Sequence, residues 1–140
     1  MSRRAAREQA LKGIYQLDVG KAKPMEAYES VVAEIPLTSA GKEFLRELVW
    51  GMWENRAHID GLIEQFAIDW ALERFSRVDR AILRLAVYEM IFREDIPVSV
   101  SINEAVELCK KYSGADSGRF VNGILGGISG TLNRAGRGDE

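Results

Sequence analysis

Residues 78–92 read VDRAILRLAVYEMIF. Val78, Ala81, Ile82, Leu85, Tyr88 and Phe92 recur at steps of three or four, the spacing that gathers side chains on one face of an α-helix. Just ahead, Ser76-Arg77-Val78-Asp79 has the spacing of a capping box, in which a hydroxyl and a carboxylate close the first turn. Pro97 ends the pattern, because it lacks the N–H that a helix interior needs. The stretch therefore predicts a helix with one side in a core, and the rest of the chain repeats the same period.

Toward the N-terminus, the pairs Phe44/Leu45, Leu48/Val49 and Met52/Trp53 recur every four residues behind a cap at Thr38 or Ser39. Ile59, Leu62, Ile63 and Phe66 continue that stripe, in the same helix or a short successor, with Asn55 and Gly61 as the points of uncertainty. Pro24 suits the start of PMEAYESVVAEI, which Pro36 ends. A first helix runs from a cap at Ser2 to about Val19, stopped by Gly20. Toward the C-terminus, Ser101-Ile102-Asn103-Glu104 is a second capping box and leads INEAVELCKKY to Gly114. Asp116 or Ser117 caps a last helix, RFVNGILGGISG. The alternating VSVSI at 98–102 has no partner strand and reads as a loop. The result is about seven helices with short connections, for which the natural solution is an all-α bundle, divisible into packed sub-bundles. Residues 1–130 make a single domain, and the polar, glycine-rich 131–140 is expected to be a flexible tail.

The totals narrow the function. The chain has 140 residues, 46% of them apolar, and a net charge of −2, so nucleic-acid binding has to come from a local patch rather than a global field. A single cysteine, Cys109, makes no internal disulfide and fits a reducing cytoplasm. No apolar run follows the basic start, so neither a signal peptide nor a membrane span is expected. With His58 also the only residue of its kind, a His/Cys metal site within one chain is excluded, and no cofactor motif is present. Gly123/Gly127 and Gly126/Gly130 follow no strand and lack the phosphate-loop pattern; they read as flat faces for close backbone packing. Glu104 and Glu107 share a helix face, but Glu104 belongs to the capping box and Glu107 pairs with Lys110 or Lys111. No catalytic constellation emerges.

The N-terminal SRRAAREQA breaks a local rule. Arg3, Arg4 and Arg7 lie at the positive end of the helix dipole, where each cation costs a few tenths of a kcal/mol. On a helical wheel Arg3 and Arg7 continue the stripe of Ala6, Ala10, Ile14 and Leu17, and Arg4 lines up with Leu11 and Tyr15. A guanidinium is not left unpaired in an apolar core, so these turns overhang the bundle or lie at its rim. A phosphate chain would satisfy them, and so would plain solvation of a frayed terminus. Tyr15 is either a stacking surface for an unpaired base or a half-buried core residue.

RRAAREQALKGIYQ, VDRAILRLAVYEM, INEAVELCK and DSGRFVNGIL, in this order and spacing, resemble the successive signature segments of the NusB family of bacterial antitermination factors, from about residue 3 to about 128. The resemblance implies an all-helical fold of two three-helix sub-bundles, without catalysis. It implies binding of boxA-type single-stranded RNA together with the ribosomal protein NusE, and entry into the elongating RNA polymerase complex, notably on ribosomal RNA operons. Carried over by matching segment, the RNA-binding candidates are Arg3, Arg4, Arg7, Tyr15, Asp116 and Phe120. Phe120 also fits a core stripe with Val121, Ile124 and Leu125, and both readings stand. Glu73 and Asp79 are the candidates for the protein-partner surface. The family's denser arginine run is interrupted here by Ala5 and Ala6. The fold also occurs appended to RNA cytosine methyltransferases, but no methyltransferase motif is present in these residues. A helical protein-interaction module without RNA contact is the alternative, and a homodimer covering the arginines is compatible with the sequence.

Overall fold

The computed structural model describes residues 3–67 and 75–134. Its helices are α1 (Arg3–Val19), α2 (Pro24–Val32), α3 (Ser39–Glu54), α4 (Arg56–Phe66), α5 (Arg77–Phe92), α6 (Val98–Tyr112) and α7 (Ala115–Arg134). No strand occurs among the described residues. The chain forms two compact units, Met1–Asn55 and Arg56–Glu140. The all-α class and the two-bundle organisation agree with the sequence. The second bundle holds α4 to α7, one helix more than the implied three.

In the first unit α1 packs on α2 and α3, and α2 packs on α3. Ala6, Ala10, Ile14 and Leu17 of α1 are buried as the wheel predicts, with Val31 of α2 and Leu45, Leu48, Val49 and Met52 of α3. The approach is tightest at Gly13, where an added Cβ would meet Val49 Cγ2 at 3.3 Å. Gln9 fastens α1 to the end of α2, donating to the Val31 carbonyl at 2.6 Å and to Glu34 at 3.0 Å. The Thr38 hydroxyl accepts from the Gly41 N–H at 3.0 Å and so caps α3. Asn55 resolves the ambiguity at the end of α3. Its backbone N–H and its side-chain amide both reach the Gly51 carbonyl, at 3.1 and 2.8 Å, and the chain restarts as α4. α1 ends at Val19, ahead of Gly20, as expected, and Lys21 then takes the left-handed conformation, with φ 59°.

In the second unit α5 packs against α4, α6 and α7. Ser76 caps it, accepting from the Asp79 N–H at 3.0 Å, but only this half of the predicted capping box forms, because the Asp79 carboxylate is engaged by Ser113 and Ser117. The expectation that α5 buries one side is corrected. Leu83, Val87 and Met90, off the predicted stripe, are fully buried alongside Ile82 and Leu85. A helix covered by three neighbours needs an apolar face wider than a single stripe. Phe92, predicted in the core, is 41% exposed at the helix end and stacks on Tyr88 at 5.1 Å. Arg84 clamps Asp60 of α4 with two parallel bonds of 2.8 and 2.9 Å.

VSVSI is helix, not loop. Pro97 occupies the cap position of α6, and its carbonyl accepts from the Val100 and Ser101 N–H groups at 2.9 and 3.3 Å. Proline ends a helix before it but lacks nothing needed to start one after it. The capping box predicted at Ser101 is therefore not used. Ser101 lies inside α6 and donates to the buried Glu89 carboxylate at 2.9 Å. A tertiary partner has taken the hydroxyl from the local cap. The last helix starts at Ala115, ahead of both predicted caps, and runs to Arg134, past the boundary drawn at residue 130.

The glycines of α7 are not alike. A Cβ on Gly127 would lie 2.5 Å from the Phe66 ring, so this position closes the packing of α4 on α7. The partner is an aromatic ring rather than the backbone that was expected. Gly123, Gly126 and Gly130 meet nothing within 4 Å, so the close-packing reading fails for them.

Candidate nucleic-acid interface

The first turns of α1 form a cationic and aromatic surface. Arg3 and Arg4 are exposed there. Arg7 is only 5% exposed, so of the overhang-or-rim expectation the overhang does not hold for this arginine. The guanidinium carbons of Arg3 and Arg7 lie 5.0 and 5.5 Å from the centre of the Phe44 ring on α3. The π-face of Phe44 attracts both cations, an interaction of about 0.5–2 kcal/mol each, and the aliphatic stems lie along apolar surface. Among the described residues no buried side-chain nitrogen or oxygen lacks a hydrogen-bond partner, Arg7 included. Phe44 is thus a residue that sequence reasoning assigned only to a core stripe. Its second role depends on α3 packing beside the start of α1, and no spacing along the chain records that.

Tyr15 lies farther along α1, about 20° from Arg4 on the wheel and roughly 16 Å away along the axis. It is 37% exposed, so part of the residue reaches the surface. On the far side of the same helix face, Lys12 pairs with Glu34 of the segment after α2 at 3.2 Å. Hydrogen bonds from Gln9 and then Lys12 hold the Glu34 pKa below its ordinary value.

The other RNA candidates lie in the second unit, at the start of α7. Asp116 is exposed in the first turn, favourably placed for the dipole, and pairs with Arg119. Phe120 is half-buried, its ring edge-on to Phe75 at 5.0 Å and 84°. The contact with Phe75 accounts for the packing part of its sequence reading. Arg3 and Arg7 meet at the Phe44 ring in the first unit, and Asp116 and Phe120 lie in the first turns of α7 in the second.

Of the two partner-surface candidates, Glu73 lies outside the described residues. Asp79 is not the exposed helix charge that was expected; it is 8% exposed. Its Oδ1 accepts from the Ser113 hydroxyl at 2.8 Å and its Oδ2 from the Ser117 hydroxyl at 2.9 Å. Sequence reasoning missed both serines, because they lie 34 and 38 residues from their partner.

Neither reactive side chain is arranged for chemistry. His58 is exposed on α4, and Cys109 is fully buried. Burial, and then the negative charge of Asp79, pushes the Cys109 thiol up to about 12, away from the nucleophilic thiolate. Glu107 pairs with Lys110 at 3.4 Å, as its spacing predicted. Among the described residues no group of acidic, His and Cys side chains could hold a metal ion, and no helix is long and apolar enough to cross a membrane.

The described residues form an all-helical, two-bundle protein with three arginines at the start of one helix. Comparison with known proteins gives the family. The NusB family model matches residues 4–129. The transcription antitermination protein NusB of Acetivibrio thermocellus is 50% identical over 128 residues, covering 91% of this chain and 88% of that one. T. maritima NusB has a TM-score of 0.83 at 37% identity, over 91% of this chain and 90% of that one. The antitermination factor in a crystal structure of NusB and NusE with double-stranded RNA has a TM-score of 0.85 at 31% identity, over 92% of this chain and 96% of that one. The chain belongs to the NusB family.

Proposed function

We propose that this protein is a transcription antitermination factor that binds boxA-type single-stranded RNA together with the ribosomal protein NusE. In this reading the heterodimer joins elongating RNA polymerase, notably on ribosomal RNA operons, in the cytoplasm, and acts by binding without turnover. The observation that carries it is the start of α1. Arg3 and Arg4 are exposed, and Phe44 gathers the Arg3 and Arg7 guanidinium groups above one ring. A cation at a helix N-terminus opposes the dipole, and an approaching polyanion reverses the sign of that cost. The partly exposed Tyr15 on the same helix offers an unstacked base a platform, which supports single strands over duplexes. The relative that holds both NusE and RNA supports the two-partner assembly.

The test is titration of boxA-type RNA, single-stranded and duplex, with and without NusE, at two salt concentrations. Arg3→Ala/Arg4→Ala is expected to weaken single-strand binding on the order of tenfold and to flatten the log–log salt slope by about 1.4, or 0.7 for each phosphate no longer neutralised. Binding to NusE alone should be unchanged. Wild-type affinity and slope in the double variant would sink the reading and leave a protein-interaction module. Tighter binding of the duplex would overturn the single-strand assignment.

A further inference from the structure

The carboxylate of Asp79 occupies an unusual position. It belongs to the first turn of α5, yet both its oxygens are engaged elsewhere, by Ser113 at the end of α6 and Ser117 in the first turn of α7. The two hydroxyl oxygens are themselves only 2.8 Å apart. An ionised carboxylate only accepts, so in both contacts with Asp79 the serine hydroxyl is the donor. Hydrogen bonds to a charged group are the stronger kind. Gly114 alone separates Ser113 from α7, and the N–H groups of Ser113 and Gly114 both reach the Cys109 carbonyl at 2.7 Å. The carboxylate therefore staples a tight α6–α7 turn from outside, one hydroxyl on each side of it. A second tie lies one turn farther along α7: Phe120 packs edge-on to Phe75, the residue before the Ser76 cap of α5.

We propose that Asp79 is a positioning residue for RNA recognition, holding the start of α7, with Asp116 and Phe120, in its binding orientation through Ser113 and Ser117. The inference rests on the RNA-binding reading above. Asp79 is too enclosed to offer its carboxylate to a partner or to RNA. What it controls is the direction of the first turn of α7. Asp116 is exposed on that turn, and Phe120, half-buried, follows one turn later. Without the staple, the α6–α7 turn retains its backbone bonds to Cys109, but α7 is no longer fixed to α5 by a charged group.

The test uses the full chain with Ser113→Ala/Ser117→Ala, which leaves the Asp79 charge in place. Titration with boxA-type RNA is expected to show affinity roughly three- to tenfold weaker, with NusE binding unchanged. Ser113→Thr/Ser117→Thr, which keeps both hydroxyls, is expected to recover most of the loss, a rescue that a general loss of packing would not give. Asp79→Asn added to the double alanine variant should cost little more, since the two changes break the same bonds. Wild-type RNA affinity in Ser113→Ala/Ser117→Ala, or failure of the threonine rescue, would overturn the proposal. If Arg3→Ala/Arg4→Ala also binds RNA normally, it is the RNA-binding reading itself that has failed.

Discussion

Gly126 and Gly127 are neighbours on α7 with opposite surroundings. Gly126 faces open space, while a side chain on Gly127 would enter the Phe66 ring. An interior helical glycine costs roughly 0.8–1 kcal/mol relative to alanine when nothing else intervenes. Gly126→Ala is thus expected to raise stability by about that amount. Gly127→Ala is expected to lower it by about 1–3 kcal/mol, because the ring has to leave its place. Denaturant midpoints at an unchanged m-value measure both. The sequence shows two identical residues with the same four-residue spacing. The difference lies in α4, and no local pattern around residue 126 or 127 contains it. The same holds for the arginines: three look alike in the sequence, but Phe44 and the neighbouring core enclose Arg7 and leave Arg3 and Arg4 at the surface.

Among the elements, α4 depends most on individual interactions. Only Ile59 and Ile63 of its residues are buried, whereas ten residues of α5 are. The Asp60–Arg84 clamp therefore carries more of the attachment of α4 than a surface pair would. Its side chains are 25% and 15% exposed, and its geometry is bidentate. Asp60→Ala is expected to cost about 1–2 kcal/mol and to speed amide exchange in α4 far more than in α5. Equal acceleration in both helices would show that α4 and α5 open together. Helix caps at Ser76 and Thr38 were readable because the donor and acceptor lie three residues apart. The start of α6 was not, since Ser101 had an equally good partner in Glu89 on another helix.

At the scale of the whole molecule, the net charge of −2 gives no general attraction for a polyanion, so RNA affinity depends on where the cations gather. Global stability carries a pH signature of its own. The Cys109 thiol is raised from 9.0 to about 12, so in the unfolded chain it ionises first. The unfolded state then binds fewer protons than the native state, and stability falls as pH rises. The contribution is fully present below about pH 9 and is lost progressively toward pH 12. Unfolding free energies measured across that window are expected to decline more steeply for the natural chain than for Cys109→Ala. Parallel curves would refute the assignment.

The sequence by itself determined most of the helices, the caps at Thr38 and Ser76 and the stripes that make the cores. These depend on interactions within a few residues, which a linear pattern records. The four signature segments also carried the family. Only the tertiary structure decided which equivalent-looking residues are exposed, which hydroxyl caps a helix and which binds a distant carboxylate, and why Asp79 is enclosed. Those outcomes depend on groups brought together from tens of residues apart, and that competition is settled only when the helices pack.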